Sequence, residues 1–167
     1  SHCLNEVLVI AAALSVQDPR DRPMDKQQAA DEAHHQFVDE TSDFLGYLKL
    51  WNHLRTHWRH LSKRKFKLYC RDHFLSWTRV QEWRDIHDQL RGQMHEMGYK
   101  ENSAEAGFEE IHKAILSGLL SNIGCKKSGK NPEYLAARNS RFRIFPGSGL
   151  FAKQPKWVVA AELVETS

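Results

Sequence analysis

Three groups of residues in this chain have types and spacings that could do chemistry. Asp31-Glu32-Ala33-His34 spells the acidic box with which a nucleoside triphosphatase holds magnesium and its attacking water, and Gly124-Cys125-Lys126-Lys127-Ser128-Gly129-Lys130-Asn131 carries the glycine and lysine spacing of a phosphate-binding loop. His53, His57 and His60 stand at i, i+4 and i+7, so two of them could share a metal with a third ligand from elsewhere.

Each group lacks the context its chemistry needs. An acidic box must end a buried strand, which fixes the aspartate beside the metal, yet Met24 to Ala30 has no apolar run and a helical bias. A phosphate loop needs a hydroxyl after its lysine and a helix that starts there. Asn131 and Pro132 supply neither, and the loop follows the box instead of preceding it. Both strings are read as surface segments. No Cys pair, His-Glu-x-x-His or matching carboxylate supports a metal, so the three histidines are read as a solvent-facing polar stripe on a helix. Cys70, between Tyr69 and Arg71, is read as a packed thiol and not a nucleophile. No catalytic, cofactor or metal site is expected.

The elements that must position these residues follow from periodicity. Leu4 to Val16 is a run of helix formers that stops at Asp18-Pro19, with a second proline at Pro23. Asp25 to Val38 has few large apolar groups and reads as a mostly exposed helix. Thr41 or Ser42 can cap the next, in which Phe44, Leu48, Trp51, Leu54, Trp58 and Leu61 share a face, with Lys49, His53 and His60 opposite. A basic helix follows from Ser62 to Leu75. Val80, Trp83, Ile86, Leu90, Met94 and Met97 then mark a long helix that Gly98 stops, and a last helix spans Ala104 to Leu120 with Phe108, Ile111, Ile115, Leu119 and Leu120 inward. Beyond Asn122, short apolar runs separated by Pro146-Gly147-Ser148-Gly149 and Lys153-Gln154-Pro155 read as a small twisted sheet or barrel.

The expected class is therefore α+β, with a helical domain over residues 1–102 and a helix plus a small β region over 103–167. In 167 residues there is room for a core but not for two ATPase lobes. Three distant cysteines make no disulfide framework, and no apolar run is long enough for a membrane span or signal peptide, which fits a reduced cytoplasmic setting.

Charge is unevenly placed. Residues 18–48 hold eight acids against three bases, whereas residues 49–91 hold eleven bases against four acids, with Trp51, Trp58, Trp77 and Trp83 among them. Cations interleaved with flat rings suit single-stranded nucleic acid, since phosphates need charge and unstacked bases need surfaces. A solvated basic face over a tryptophan core is the alternative.

The ordinary-looking segments carry a resemblance. Cys3 through Pro19 is similar to the start of the helicase-associated, ratchet-like region of DEAH-box RNA helicases. Arg22-Pro23, Phe37, Ser42-Asp43-Phe44-Leu45, Cys70, Phe74-Leu75 and Ile86 to Leu90 follow in that family's order. Ile111 to Leu119, Ile144 to Phe151 and Pro155 to Thr166 resemble its C-terminal OB-fold region, and Glu82-Trp83 suggests the bacterial HrpA-type branch. The resemblance implies a non-catalytic fragment of an ATP-dependent helicase, with the ATP- and magnesium-using lobes and most of a winged-helix module before Ser1, and an OB barrel truncated at its fourth strand. It implies that the region closes a channel over single-stranded RNA and grips the backbone without sequence preference. Alternatively it braces the ATPase lobes or docks a regulatory protein at the OB region. The candidate RNA contacts are Arg59, Arg64, Lys67, Arg71, His73, Arg79 and Arg84, with Arg141, Arg143, Lys153 and Lys156 from the OB region. Arg84 could instead pair with Asp88 one turn away.

Overall fold

Serine hydroxyls set the start of three of the six α-helices among the described residues. Ser42, Ser62 and Ser76 each accept a hydrogen bond from the backbone N–H three residues on, Leu45, Lys65 and Arg79, at 3.4, 3.4 and 3.3 Å. In the computed structural model, which describes residues 2–127 and 132–164, they open α3 (Asp43–His60), α4 (Lys63–Asp72) and α5 (Trp77–Glu96). Before these lie α1 (Leu4–Leu14) and α2 (Gln27–His34), and after them α6 (Phe108–Gly118). Gly98, at φ 83°, closes α5 as expected.

Helix α1 is the hub. It buries Leu8, Val9, Ile10, Ala12 and Ala13 and packs against α3, α5 and α6. The main core joins Val9, Ala12 and Ala13 to Phe37, Leu50, Trp51, Leu54, Phe66, Cys70, Leu75, Val80 and Trp83, and a smaller one joins Cys3, Ile10 and Ile111. Trp83 is wholly buried, and its indole N–H donates to the Val9 carbonyl at 3.0 Å. The two-proline loop is tied to the α4–α5 turn by Asp21 N–H to Phe74 O and Ser76 N–H to Pro19 O, at 2.8 and 2.7 Å.

Helix α6 begins at Phe108, four residues later than the sequence pattern suggests. Glu6 and Asn102 explain the delay: the Glu6 carboxylate accepts from Ala106 N–H at 3.0 Å, while the Asn102 amide donates to Glu6 and to Ala104 O. Those groups are thus held in a turn. Phe108 and Leu120, expected inward, are 49% and 62% exposed, because α6 presents only its Ile111 stripe to α1.

The β region is an open four-stranded antiparallel sheet in the order β3-β2-β1-β4, built from β1 (Ile123–Lys126), β2 (Tyr134–Leu135), β3 (Arg141–Phe142) and β4 (Trp157–Val159). Tyr134 is its buried centre. It stacks on Phe142 and donates its hydroxyl proton to Pro155 O at 2.6 Å.

Sheet and bundle meet at the N-terminus of α3. The Asp43 carboxylate accepts from Ser148 Oγ and Gly149 N–H at 2.6 and 2.9 Å and Lys153 pairs with Glu40 at 2.7 Å, while the neighbouring Ser42 bonds His112 of α6 at 2.6 Å. Burial pushes the Asp39 carboxyl up, but hydrogen bonds from Thr41 and Lys49 outweigh it and bring it down to about 2.

Two substitutions test this frame by thermal or urea unfolding. Trp83→Phe leaves the Val9 carbonyl short of a buried donor and is expected to cost about 1–3 kcal/mol. Gly149→Ala places its Cβ 2.1 Å from Asp39 O, so loop and turn must part, at about 1–3 kcal/mol.

Candidate nucleic-acid interface

The acidic string lies on α2, where a helix and not a strand tip carries it. Arg22 grips Asp31 through two hydrogen bonds of 2.7 and 2.8 Å, and this contact lowers the Asp31 pKa. Asp31 lines an open groove of about 630 Å³ with Gln27, Gln28 and His35. His34 has turned inward. Its Nε2 lies 3.0 and 2.9 Å from the His73 and Phe74 carbonyls; since carbonyls only accept, Nε2 carries the proton and bolts α2 to the α4–α5 turn. Of the phosphate-loop string, Ser128 to Asn131 lie outside the described residues.

The histidine stripe is not solvent-facing. His57 stacks on Tyr69 at 4.1 Å, Tyr69 stacks on His73 at 3.9 Å, and His53 hydrogen-bonds the Tyr69 hydroxyl, so the rings form a half-buried ladder joining α3 to α4. Only His60 stays exposed. Facing α4 rather than water is what overturns the stripe reading. Among the described residues no group of three His, Cys, Asp or Glu side chains is placed to hold a metal. Cys70 is fully buried, and burial pushes its thiol up to about 11.

The structure divides the basic residues into two populations. In the first, cations are already held. Arg79 donates to Asp18 O and pairs with Asp21 at 3.2 Å, Lys153 pairs with Glu40, Arg141 with Glu133 at 3.7 Å, and Arg71 with its neighbour Asp72. His73 is in the ladder. In the second, Arg59, Arg64 and Lys67 are exposed on α3 and α4 with Lys63 and Lys65, and among the described residues none of the five is ion-paired. Arg143 and Lys156 are likewise exposed, next to β3 and β4 in the chain.

Aromatic rings anchor the free cations. The Arg84 guanidinium carbon lies 4.4 Å from the Trp58 ring centre, while Lys63 and Lys67 place their ammonium groups 5.4 and 5.2 Å from that of Trp77. Asp88 pairs with His87 instead of Arg84. Where α3, α4 and α5 meet, Trp58, Leu61, Lys63, Phe66, Trp77, Gln81 and Arg84 enclose a cleft of about 280 Å³.

Two family models match parts of the chain. Residues 1–47 match the helicase associated domain (HA2), ratchet-like, and residues 111–167 match an oligonucleotide/oligosaccharide-binding (OB)-fold. The chain carries the ratchet-like helicase-associated and OB-fold regions of an HrpA-type helicase. It is 55% identical over 165 residues to the ATP-dependent RNA helicase HrpA of Escherichia coli (strain K12) and 52% identical over 165 residues to the HrpA homolog of Haemophilus influenzae, in each case over 99% of its own length. Identity to the pre-mRNA-splicing factor ATP-dependent RNA helicase prp22 of Schizosaccharomyces pombe is 30% over 165 residues. The chain spans 13% of the length of the first two relatives and 14% of the third. No described helix is long and apolar enough to cross a membrane.

Lys63 is absent from the candidate contacts expected from the sequence, and Trp58 and Trp77 entered there only as two of four interleaved rings; the fold is what gathers the three at one cleft. Lys63 and Lys67 one turn apart, with Trp77 opening the next helix, is the signal that could have found them.

Burial lowers the pKa of both His34 and His53, the latter further depressed by His57 and His73. Their native states favour the neutral ring, so this stability is complete above the unfolded value near 6.5 and is lost as pH falls below it through the lower folded values. The urea midpoint should fall between about pH 7.5 and about pH 5.5. His34→Gln, which keeps a donor for the two carbonyls, should shrink that fall; an unchanged fall in both His34→Gln and His53→Gln would assign it elsewhere.

Proposed function

We propose that this region supplies a DEAH-box RNA helicase with a non-catalytic, cation-bearing wall that closes the channel for single-stranded RNA and grips its backbone without sequence preference. The observation that carries this reading is the row of exposed cations Arg59, Lys63, Arg64, Lys65 and Lys67 at the α3–α4 corner, none of them ion-paired among the described residues. Phosphates would exchange condensed counterions for these side chains, and side chains without carboxylate partners break no ion pair in turning to RNA. ATP and magnesium would be handled by ATPase lobes of the parent chain, which with its winged-helix module would pack beside this region. A regulatory protein would meet the OB region. Three free cysteines agree with a reduced, cytoplasmic setting.

A second reading, in which the basic residues brace the protein or dock the ATPase lobes, is favoured for Arg79, Arg141 and Lys153, whose carboxylate partners lie within the chain. For Arg64 and Lys65 the two readings separate by experiment. If reversing both charges abolishes binding to the separate motor lobes and leaves RNA affinity unchanged, the brace reading takes them too.

Titrating fluorescent single-stranded RNA at several salt concentrations tests the wall directly. Log affinity should fall linearly with log salt, and replacing Arg59, Arg64 and Lys67 together by alanine should flatten the slope by about 2, at about 0.7 per phosphate contact. Binding absent at low salt, or indifferent to salt, removes the proposal.

A further inference from the structure

Of the four tryptophans in the basic third, two are spent on the core. Trp51 and Trp83 are 5% and 0% exposed, whereas Trp58 and Trp77 are half-buried and face one another's side of the same cleft. At about 280 Å³ the cleft falls just under the range of about 300–1,000 Å³ typical of sites for drug-sized ligands, so it suits one small planar group.

Its chemistry narrows the choice. Leu61 and the buried Phe66 make an apolar floor, and no carboxylate lines the cleft, which disfavours a cationic guest. Arg84 and Lys63 stand at its wall and Lys67 one turn along, all three held to indole rings by cation–π attraction and not by acids. A guest must therefore be flat, to meet the indoles and the guanidinium, and must carry negative charge beside the flat part, to meet the ammonium groups. Gln81 is the one neutral side chain of the lining that both donates and accepts, and Arg84 Nη1 reaches its Oε1 at 3.4 Å. Such an amide can serve the edge of any base. An acidic peptide would satisfy the lysines but bring no flat group to stack beside the indole rings.

We infer that this cleft receives one unstacked base of the RNA strand between Trp58, Trp77 and Arg84, with the adjoining phosphate on Lys63 and Lys67. The inference rests on the RNA reading above and deepens it: the exposed row grips backbone, while the cleft takes a base. Because every base has a π-face, the site adds affinity without reading sequence.

The test uses the 167-residue chain and two probes, an oligouridylate of roughly six nucleotides and a ribose-phosphate oligomer of the same length without bases. Nitrogen-15 spectra of the indole groups should show the Trp58 and Trp77 signals moving with the oligouridylate but not with the abasic oligomer. The oligouridylate should also bind about ten-fold more tightly, and Trp77→Ala or Arg84→Gln should erase that ratio. The wild-type spectra decide the matter even if a variant folds poorly. Should both oligomers bind equally well with the expected salt slope and still indole signals, the base site is wrong and the backbone wall stands. Should polyglutamate move the same two signals as strongly as the oligouridylate, an acidic protein segment is the occupant and the inference falls. If neither oligomer binds at low salt, both readings fall together.

Discussion

The buried Trp83 indole is the constraint on which the other placements depend. A helical carbonyl has two lone pairs, and Val9 O offers the one its own helix leaves free, so α5 is locked to α1 at a single rotational setting. Tyr47 and Trp51 of α3 then pack against the same ring, at 6.1 and 4.9 Å between centroids. With three helices fixed around one side chain, only the far ends of α3 and the near end of α5 remain to meet α4. That is where the second pair of tryptophans emerges from the core, and why aromatic rings and lysines share one corner.

The acids of residues 18–48 take their partners selectively. Asp18 and Asp21 engage Arg20 and Arg79, Asp31 engages Arg22, and Asp39 and Glu40 engage Lys49 and Lys153. Exposed pairs of this kind contribute little stability, at about 0–1 kcal/mol each. Their larger effect is on distribution: the acids neutralise cations around the proline loop and the start of α3, and the α4 row is left uncompensated. A modest net charge of +3 thereby resolves into a locally strong field.

Much of this frame was legible in the residues. The period of Trp51, Leu54 and Trp58, the glycine after Met97, and the lack of an apolar run before Asp31 each state a local rule that packing had no cause to override, and the ordered resemblance located both regions. What was hidden depends on pairs far apart in the chain. Nothing local to His53 announces that Tyr69 will meet it, nothing near Arg79 announces Asp21, and the late start of α6 follows from Glu6 about a hundred residues earlier. Side-chain spacing proposes a face; only the neighbouring helix decides whether water or protein covers it.

Helix α3 has a different partner at each end. Its first turn is clamped by the Ser148-Gly149 loop of the sheet, and its last turn delivers Trp58 and Arg59 to the basic corner. Eighteen residues at 1.5 Å each make a rod of roughly 27 Å. A single stiff element thus sets both places at once: the seat of the Ser148-Gly149 loop and the position of the cationic corner share one axis, and neither can be rebuilt without regard to the other.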